Sequence, residues 1–173
     1  MYYVLQVAPG AEEKTERWIR RRLDSAIYGR CFHPTRMMRK KLRGEWTDVR
    51  EKLLPGYVFI TSEDAGGLYA ALRGVPVLTR MLGRDGEAFT ALDRNEEEWL
   101  RRLLPPEENG TEVELSKVAV DENDRVTILS GPLKGMAGEI KKLHLHRRMA
   151  EVEVEFMGRK TILYLGIELV KKE

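Results

Sequence analysis

A chain of 173 residues is long enough for one large domain or two small ones, and its 42% hydrophobic and 34% charged residues describe a globular protein that can bury a core. No apolar run approaches the roughly 18 residues of a membrane helix, and Met1-Tyr2-Tyr3-Val4-Leu5 lacks a basic n-region, so it reads as a first strand and not a signal peptide. A lone cysteine, Cys31, excludes an intrachain disulfide and fits a reducing cytoplasm, and a net charge of +2 excludes a globally cationic binder.

In chain order, residues 2 to 8 are rich in aromatic and β-branched types and predict a strand, broken by Pro9-Gly10. Thr15, Trp18, Ile19, Leu23, Ala26 and Ile27 then recur at helical spacing, opposite Lys14, Arg17, Arg20 and Arg21. A helix from Ala11 to near Gly29 is expected. Residues 34 to 43 look extended, Gly44-Glu45 a turn, and Trp46 to Leu53 the returning strand. With few apolar positions, this hairpin is expected to project from the body. Leu54-Pro55-Gly56 leads into Tyr57-Val58-Phe59-Ile60-Thr61, whose uninterrupted β-propensity predicts a strand buried on both faces. Asp64 should cap a helix running to Leu72 and stopped at Gly74. Gly66 and Gly67 weaken that helix by roughly 1 kcal/mol each relative to alanine. A strand is expected over Val77 to Leu82. Asp93 and Glu96 form a capping box ahead of the stripe Trp99, Leu100, Leu103 and Leu104.

Pro105-Pro106-Glu107-Glu108-Asn109-Gly110 interrupts all periodicity and reads as a linker. The expected organisation is a first domain over 1–104, a linker over 105–115 and a second domain over 116–173. In the latter, a strand from Val126 runs into a loop punctuated by Gly131, Pro132, Gly135 and Gly138, where glycines supply angles other residues resist. Ala150, Val152, Val154 and Phe156 alternate with acids, Gly158 marks a hairpin turn, and Thr161 to Leu165 returns, predicting a small β-barrel.

The cations are patchy. Residues 36 to 43 hold Arg36, Arg39, Lys40, Lys41 and Arg43, and residues 144 to 148 hold His144, His146, Arg147 and Arg148, both without an acid. Such patches suit phosphate contacts. His144 and His146 would share a strand face, but two histidines do not make a metal site. Cys31 and His33 have no orienting acid nearby in sequence, and no phosphate-binding loop or dinucleotide fingerprint is present. The expectation is a binding protein, not an enzyme, with no cofactor and no metal.

The run Val126 to Ile140 resembles a KOW motif. Preceded by Tyr2-Tyr3, Leu54-Pro55-Gly56-Tyr57-Val58-Phe59 and Leu72-Arg73-Gly74-Val75-Pro76, it makes the whole chain resemble the NusG family of transcription elongation factors. The resemblance implies an α+β fold: an N-terminal (NGN) α/β sandwich with an antiparallel sheet, plus a C-terminal SH3-like KOW barrel. It implies a cytoplasmic monomer, with no membrane partner, that docks the clamp helices of RNA polymerase through Leu54, Tyr57 and Phe59. By position, Tyr2, Lys14 and Arg73 match the side that faces the non-template DNA strand. The segment Phe156-Met157-Gly158-Arg159-Lys160-Thr161 and a basic barrel rim are similar to the specialised LoaP-type paralogues. That similarity implies processive antitermination and capture of a nascent RNA hairpin by Lys134, Lys141, Lys142, His144, His146, Arg147, Arg148, Arg159 and Lys160. The alternatives are a general family member whose barrel binds a ribosomal protein or a termination factor, and a ribosome-associated structural KOW protein, against which the N-terminal docking strand argues.

Overall fold

The computed structural model describes residues 1–76, 78–83, 89–104 and 110–171. Residues 105–109 of the expected linker, and Val77 of the expected strand, lie outside them. The elements are β1 (Tyr2–Val7), α1 (Glu12–Arg22), β2 (Cys31–Phe32), β3 (Thr35–Leu42), β4 (Glu45–Lys52), β5 (Tyr57–Thr61), α2 (Ala65–Leu72) and β6 (Leu78–Met81). They continue with α3 (Arg94–Leu103), β7 (Glu112–Val113), β8 (Ser116–Val120), β9 (Val126–Ser130), β10 (Ile140–His144), β11 (Met149–Phe156) and β12 (Arg159–Lys171). Two compact units result: Met1–Pro34, Leu54–Glu97 and Phe156–Arg159 form the first, and Thr35–Leu53, Glu98–Glu155 and Lys160–Glu173 the second.

The first unit is built on a sheet of order β2-β5-β1-β6, with β5 antiparallel to β1 and β2, and β6 antiparallel to β1. Tyr3, Leu5, Val58 and Ile60 share one face and pack with Ile19 of α1 and Leu68 and Leu72 of α2. α1 is shorter than its apolar spacing predicts. Leu23 is already extended, and Asp24 accepts the Ala26 amide at 2.9 Å and, through its carbonyl, the Ile27 amide at 3.0 Å. This local turn competes with further helix, so Ala26 and Ile27 belong to a loop. The caps match their sequence signals. Asp64 Oδ1 accepts the Gly67 amide at 2.9 Å, and at α3 Asp93 N donates to Glu96 Oε1 at 3.0 Å while Glu96 N donates to Asp93 Oδ1 at 2.8 Å.

The second unit contains a sheet of order β10-β11-β12-β8-β9, with β12 and β8 parallel, and a sheet of order β4-β3-β7. The alternation in β11 is real: Ala150, Val152, Val154 and Phe156 are buried. The β3–β4 hairpin pairs without slippage from Thr35↔Lys52 to Leu42↔Glu45. It does not project freely. β3 pairs in parallel with β7, Met38 is buried, and the backbone passes so close to β12 that a Cβ on Gly166 would lie 2.3 Å from the Met37 carbonyl oxygen. The tip, Lys40 to Glu45, stands in solvent, as do Thr47, Asp48 and Arg50 of the returning strand.

Candidate functional site

Period two divides β5 between two faces. Val58 and Ile60 point to the helices, so Tyr57 and Phe59 occupy the opposite face, with Phe32 and Val4 beside Phe59 in register. That face is an aromatic row. Tyr2 meets Phe32 edge-on at 6.5 Å, Phe32 stacks on Phe59 at 5.7 Å, and Phe156 lies 5.9 Å from Phe59 and edge-on to Tyr57 at 5.1 Å. Of the three docking candidates, Leu54 and Phe59 are buried and only Tyr57 is half-exposed. Phe156 is what covers the row, and the adjacent Met157 amide donates to Glu96 Oε2.

The turn that launches β5 is held by a residue the sequence does not single out. In Leu54-Pro55-Gly56-Tyr57 the Tyr57 amide donates to the Leu54 carbonyl at 3.2 Å, with proline and glycine at the two central positions. Glu12, fully buried at the start of α1, accepts the Gly10 amide at 2.6 Å and the Gly56 amide at 2.9 Å. One carboxylate thereby clamps both glycine turns. Its only sequence signal is an acid in the first turn of a helix, a position favoured for other reasons. The DNA-side candidates sit on three different elements. Tyr2 is half-buried on β1, Lys14 is exposed on α1, and Arg73 caps α2 with its guanidinium 6.0 Å over the Tyr69 ring.

In the second unit the hairpin cations are partly neutralised by acids that β4 and β12 bring across. Arg39 reaches Asp48 at 3.1 Å and Glu168 at 3.4 Å, Arg36 reaches Glu51 at 3.3 Å, and Lys40 bonds Glu51. The Lys40 hydrogen bond holds the Glu51 carboxyl below the ordinary carboxylate range. On β10, Lys141 pairs with Glu153 at 3.8 Å and His144 Nε2 lies 3.1 Å from Glu151 Oε1, so two of the acids that alternate along β11 have partners on the neighbouring strand. Lys134 Nζ bonds the Leu129 carbonyl at 3.4 Å. Lys142, His146, Arg147 and Lys160 are exposed, with no ion pair among the described residues. His146 lies in a 3-10 turn after β10, not on a strand with His144.

The predicted RNA-binding set is therefore not one rim. His146, Arg147 and Arg148 stand at the β10–β11 turn, whereas Arg159 and Lys160 follow the turn at the other end of the eight-residue β11. Sequence proximity to Phe156-Met157-Gly158 does not bring the two groups together, because an extended strand separates them by about 3.3 Å per residue. What does join the first group is the hairpin. Residues 39–41, Trp46 and residues 146–148 line one groove of about 500 Å3.

Cys31 and His33, with no acid nearby in sequence, have one beside them in space. His33 Nδ1 lies 2.7 Å from Glu16 Oε1, reached from α1. This is not a nucleophile site, because Cys31 is buried and burial pushes its thiol up to about 12. Among the described residues no group of three or more His, Cys, Asp or Glu could hold a metal ion. The Glu16 hydrogen bond raises the His33 pKa, against the lowering effect of burial. A raised folded-state pKa gives stabilisation that is complete below the unfolded value of about 6.5 and fades as pH rises through the folded value. The melting-temperature gap between the native protein and His33→Gln should therefore be wider at pH 6 than at pH 9. An equal gap across that range would show that the charged pair does not support the fold.

No helix among the described residues is long and apolar enough to cross a membrane. The model of the family described as transcription termination factor NusG matches residues 1–101. The transcription termination/antitermination protein NusG of Thermus thermophilus is 27% identical, with 99% of this chain and 97% of that protein covered. Its Bacillus subtilis counterpart is 22% identical over 99% and 97%. A solved structure, titled as a domain interaction in Thermotoga maritima NusG, superposes with a TM-score of 0.57 at 25% identity, covering 95% of this chain and 92% of that one. With more than half its length matched by the family model, and with an α+β fold of mixed sheets and few helices, this chain belongs to the NusG family of transcription termination/antitermination factors.

Proposed function

We propose that this protein is an elongation factor that promotes processive antitermination, docking RNA polymerase through the aromatic face of its first unit and holding a nascent RNA hairpin with the basic β10–β11 turn of its KOW region. The observation that carries the RNA half is the turn itself: His146 and Arg147 are exposed and unpaired among the described residues, beside Arg148. Arginine forks onto phosphate or a guanine edge, and duplex RNA is read largely through its backbone and shape. The polymerase half rests on Tyr57, since Leu54 and Phe59 are buried, Phe59 with Phe156 against it. The reading assigns Tyr2, Lys14 and Arg73 to contacts with a non-template DNA strand, and Lys134, Lys141 and Lys142 to a wider basic surround for the RNA.

The test is a gel-shift salt series with the full chain and a structured RNA hairpin. Replacing Lys142 and Arg147 together by alanine should weaken binding and flatten the log–log salt slope by roughly 1.4 to 1.8, the counterions of two phosphates. No binding of the native protein at low salt would remove this reading. It would favour the second one, a general family member whose barrel binds a ribosomal protein or a termination factor. That reading draws support from Val126 and Leu129 of β9 and Ile162 and Tyr164 of β12, apolar side chains left 37–39% exposed.

A further inference from the structure

The groove between the hairpin and the β10–β11 turn contains more than cations. Trp46 of β4 is half-buried there, and the Arg148 guanidinium lies 4.5 Å from the centroid of its ring. Arg148 has a left-handed backbone (φ 56°), and its side chain also donates to the Leu145 carbonyl, so the stacked arrangement is held from two directions. On one side Lys41, the cross-strand neighbour of Trp46, carries no ion pair among the described residues; on the other, Arg147 and His146 carry none. Among the described residues no acidic side chain lines the groove. Of the hairpin carboxylates, Asp48 and Glu51 are engaged with Arg39 and Lys40, as Glu168 of β12 is with Arg39, while Glu45 is exposed at the hairpin tip and does not line the groove. Its volume of about 500 Å3 falls within the roughly 300–1,000 Å3 of small-ligand sites.

A phosphate alone needs no aromatic ring, and an acidic peptide gains little from one. A flat indole backed by a guanidinium, flanked by free cations, is the combination that accepts an unpaired base and its flanking phosphates. We propose that this groove binds single-stranded nucleotides next to an RNA hairpin, with the Trp46–Arg148 stack receiving a base and Lys41 and Arg147 the backbone. The proposal rests on the RNA reading above and extends it in two ways. It assigns unpaired nucleotides as the recognised feature, and it makes the β3–β4 hairpin part of the site, which the KOW segment alone does not supply.

The test uses the full chain and two fluorescein-labelled RNAs: one hairpin with a short unpaired tail, and the same hairpin blunt-ended. The native protein should prefer the tailed RNA. Trp46→Ala should abolish that preference, costing about 5- to 150-fold in affinity for the tailed RNA, the span of one base–aromatic stack. Trp46→Phe should restore part of it, which separates stacking from misfolding. Lys41→Glu should weaken both RNAs, the tailed one more. A tail preference that survives Trp46→Ala overturns this proposal and leaves the RNA reading intact. Equal weakening of both RNAs by Trp46→Ala also overturns it, because the ring would then serve the duplex. Polyglutamate competing as well as the tail would assign the groove to acidic protein and overturn it. Failure of both RNAs to bind the native protein removes the RNA reading and this proposal together.

Discussion

Phe59→Ala is expected to destabilise the first unit by about 3–5 kcal/mol, the range for deleting a buried phenylalanine ring. Phe59 is wholly enclosed, stacked on Phe32 and flanked by Phe156, so truncation leaves a cavity between aromatic rings that can relax only partly. In a protein of this size each kcal/mol moves the melting temperature by roughly 2–4 °C, so thermal unfolding should fall by something like 6–20 °C. A shift under about 2 °C would show that the ring is not a core element. The consequence for function is direct. Loss of polymerase association in a Phe59→Ala variant reports unfolding as much as docking. Tyr57→Ala is the informative substitution, because the Tyr57 ring is half-exposed and its removal should cost about 1–2 kcal/mol of burial.

Gly131→Ala should be nearly as damaging in the second unit, whereas Gly135→Ala and Gly138→Ala should not. Gly131 has φ 97° and ψ −178°, a region open essentially to glycine alone. A Cβ there would lie 2.5 Å from Ser116 Cα and 2.8 Å from the Leu115 carbonyl oxygen. Ser116 cannot move away cheaply, since its buried Oγ accepts the Leu133 amide at 3.0 Å and its backbone pairs with Ile167 of β12. Backbone strain and overpacking together amount to roughly 2–6 kcal/mol. At Gly135 and Gly138 a Cβ meets nothing within 4 Å, and neither has a positive φ. Circular dichroism melts of the three single variants check this. Equal stability of all three would show that the loop accommodates a side chain at Gly131.

The three glycines also mark where the sequence stops being informative. As residues, Gly131, Gly135 and Gly138 look alike, and the motif suggests that all of them supply unusual angles. Only the strand packed beneath the loop distinguishes them, and that strand lies elsewhere in the chain. The same limit applies to the candidate site. The aromatic strand Tyr57 to Thr61 was legible because period two and β-propensity are local properties. That Phe59 is closed over by Phe156 depends on residues nearly a hundred positions apart. The two basic segments were legible as runs of charge. Their convergence on Trp46, and the separation of Arg147 and Arg148 from Arg159 and Lys160, were not, because both follow from strand pairing and strand length.

By itself, the sequence determined the segments that become β1, β3, β4, β5, α2 and α3, the Asp93–Glu96 capping box, the alternating burial of β11 and the family to which the chain belongs. These rest on interactions between residues one to four positions apart, or on patterns read directly along the chain. Tertiary structure alone decided that Glu12 clamps two turns, that Glu16 holds His33, that Cys31 is an inert buried thiol, and that the β3–β4 hairpin and the β10–β11 turn share a groove. Each of those joins side chains from distant segments, and nothing in local propensity encodes which distant segment a buried carboxylate or an exposed cation will meet.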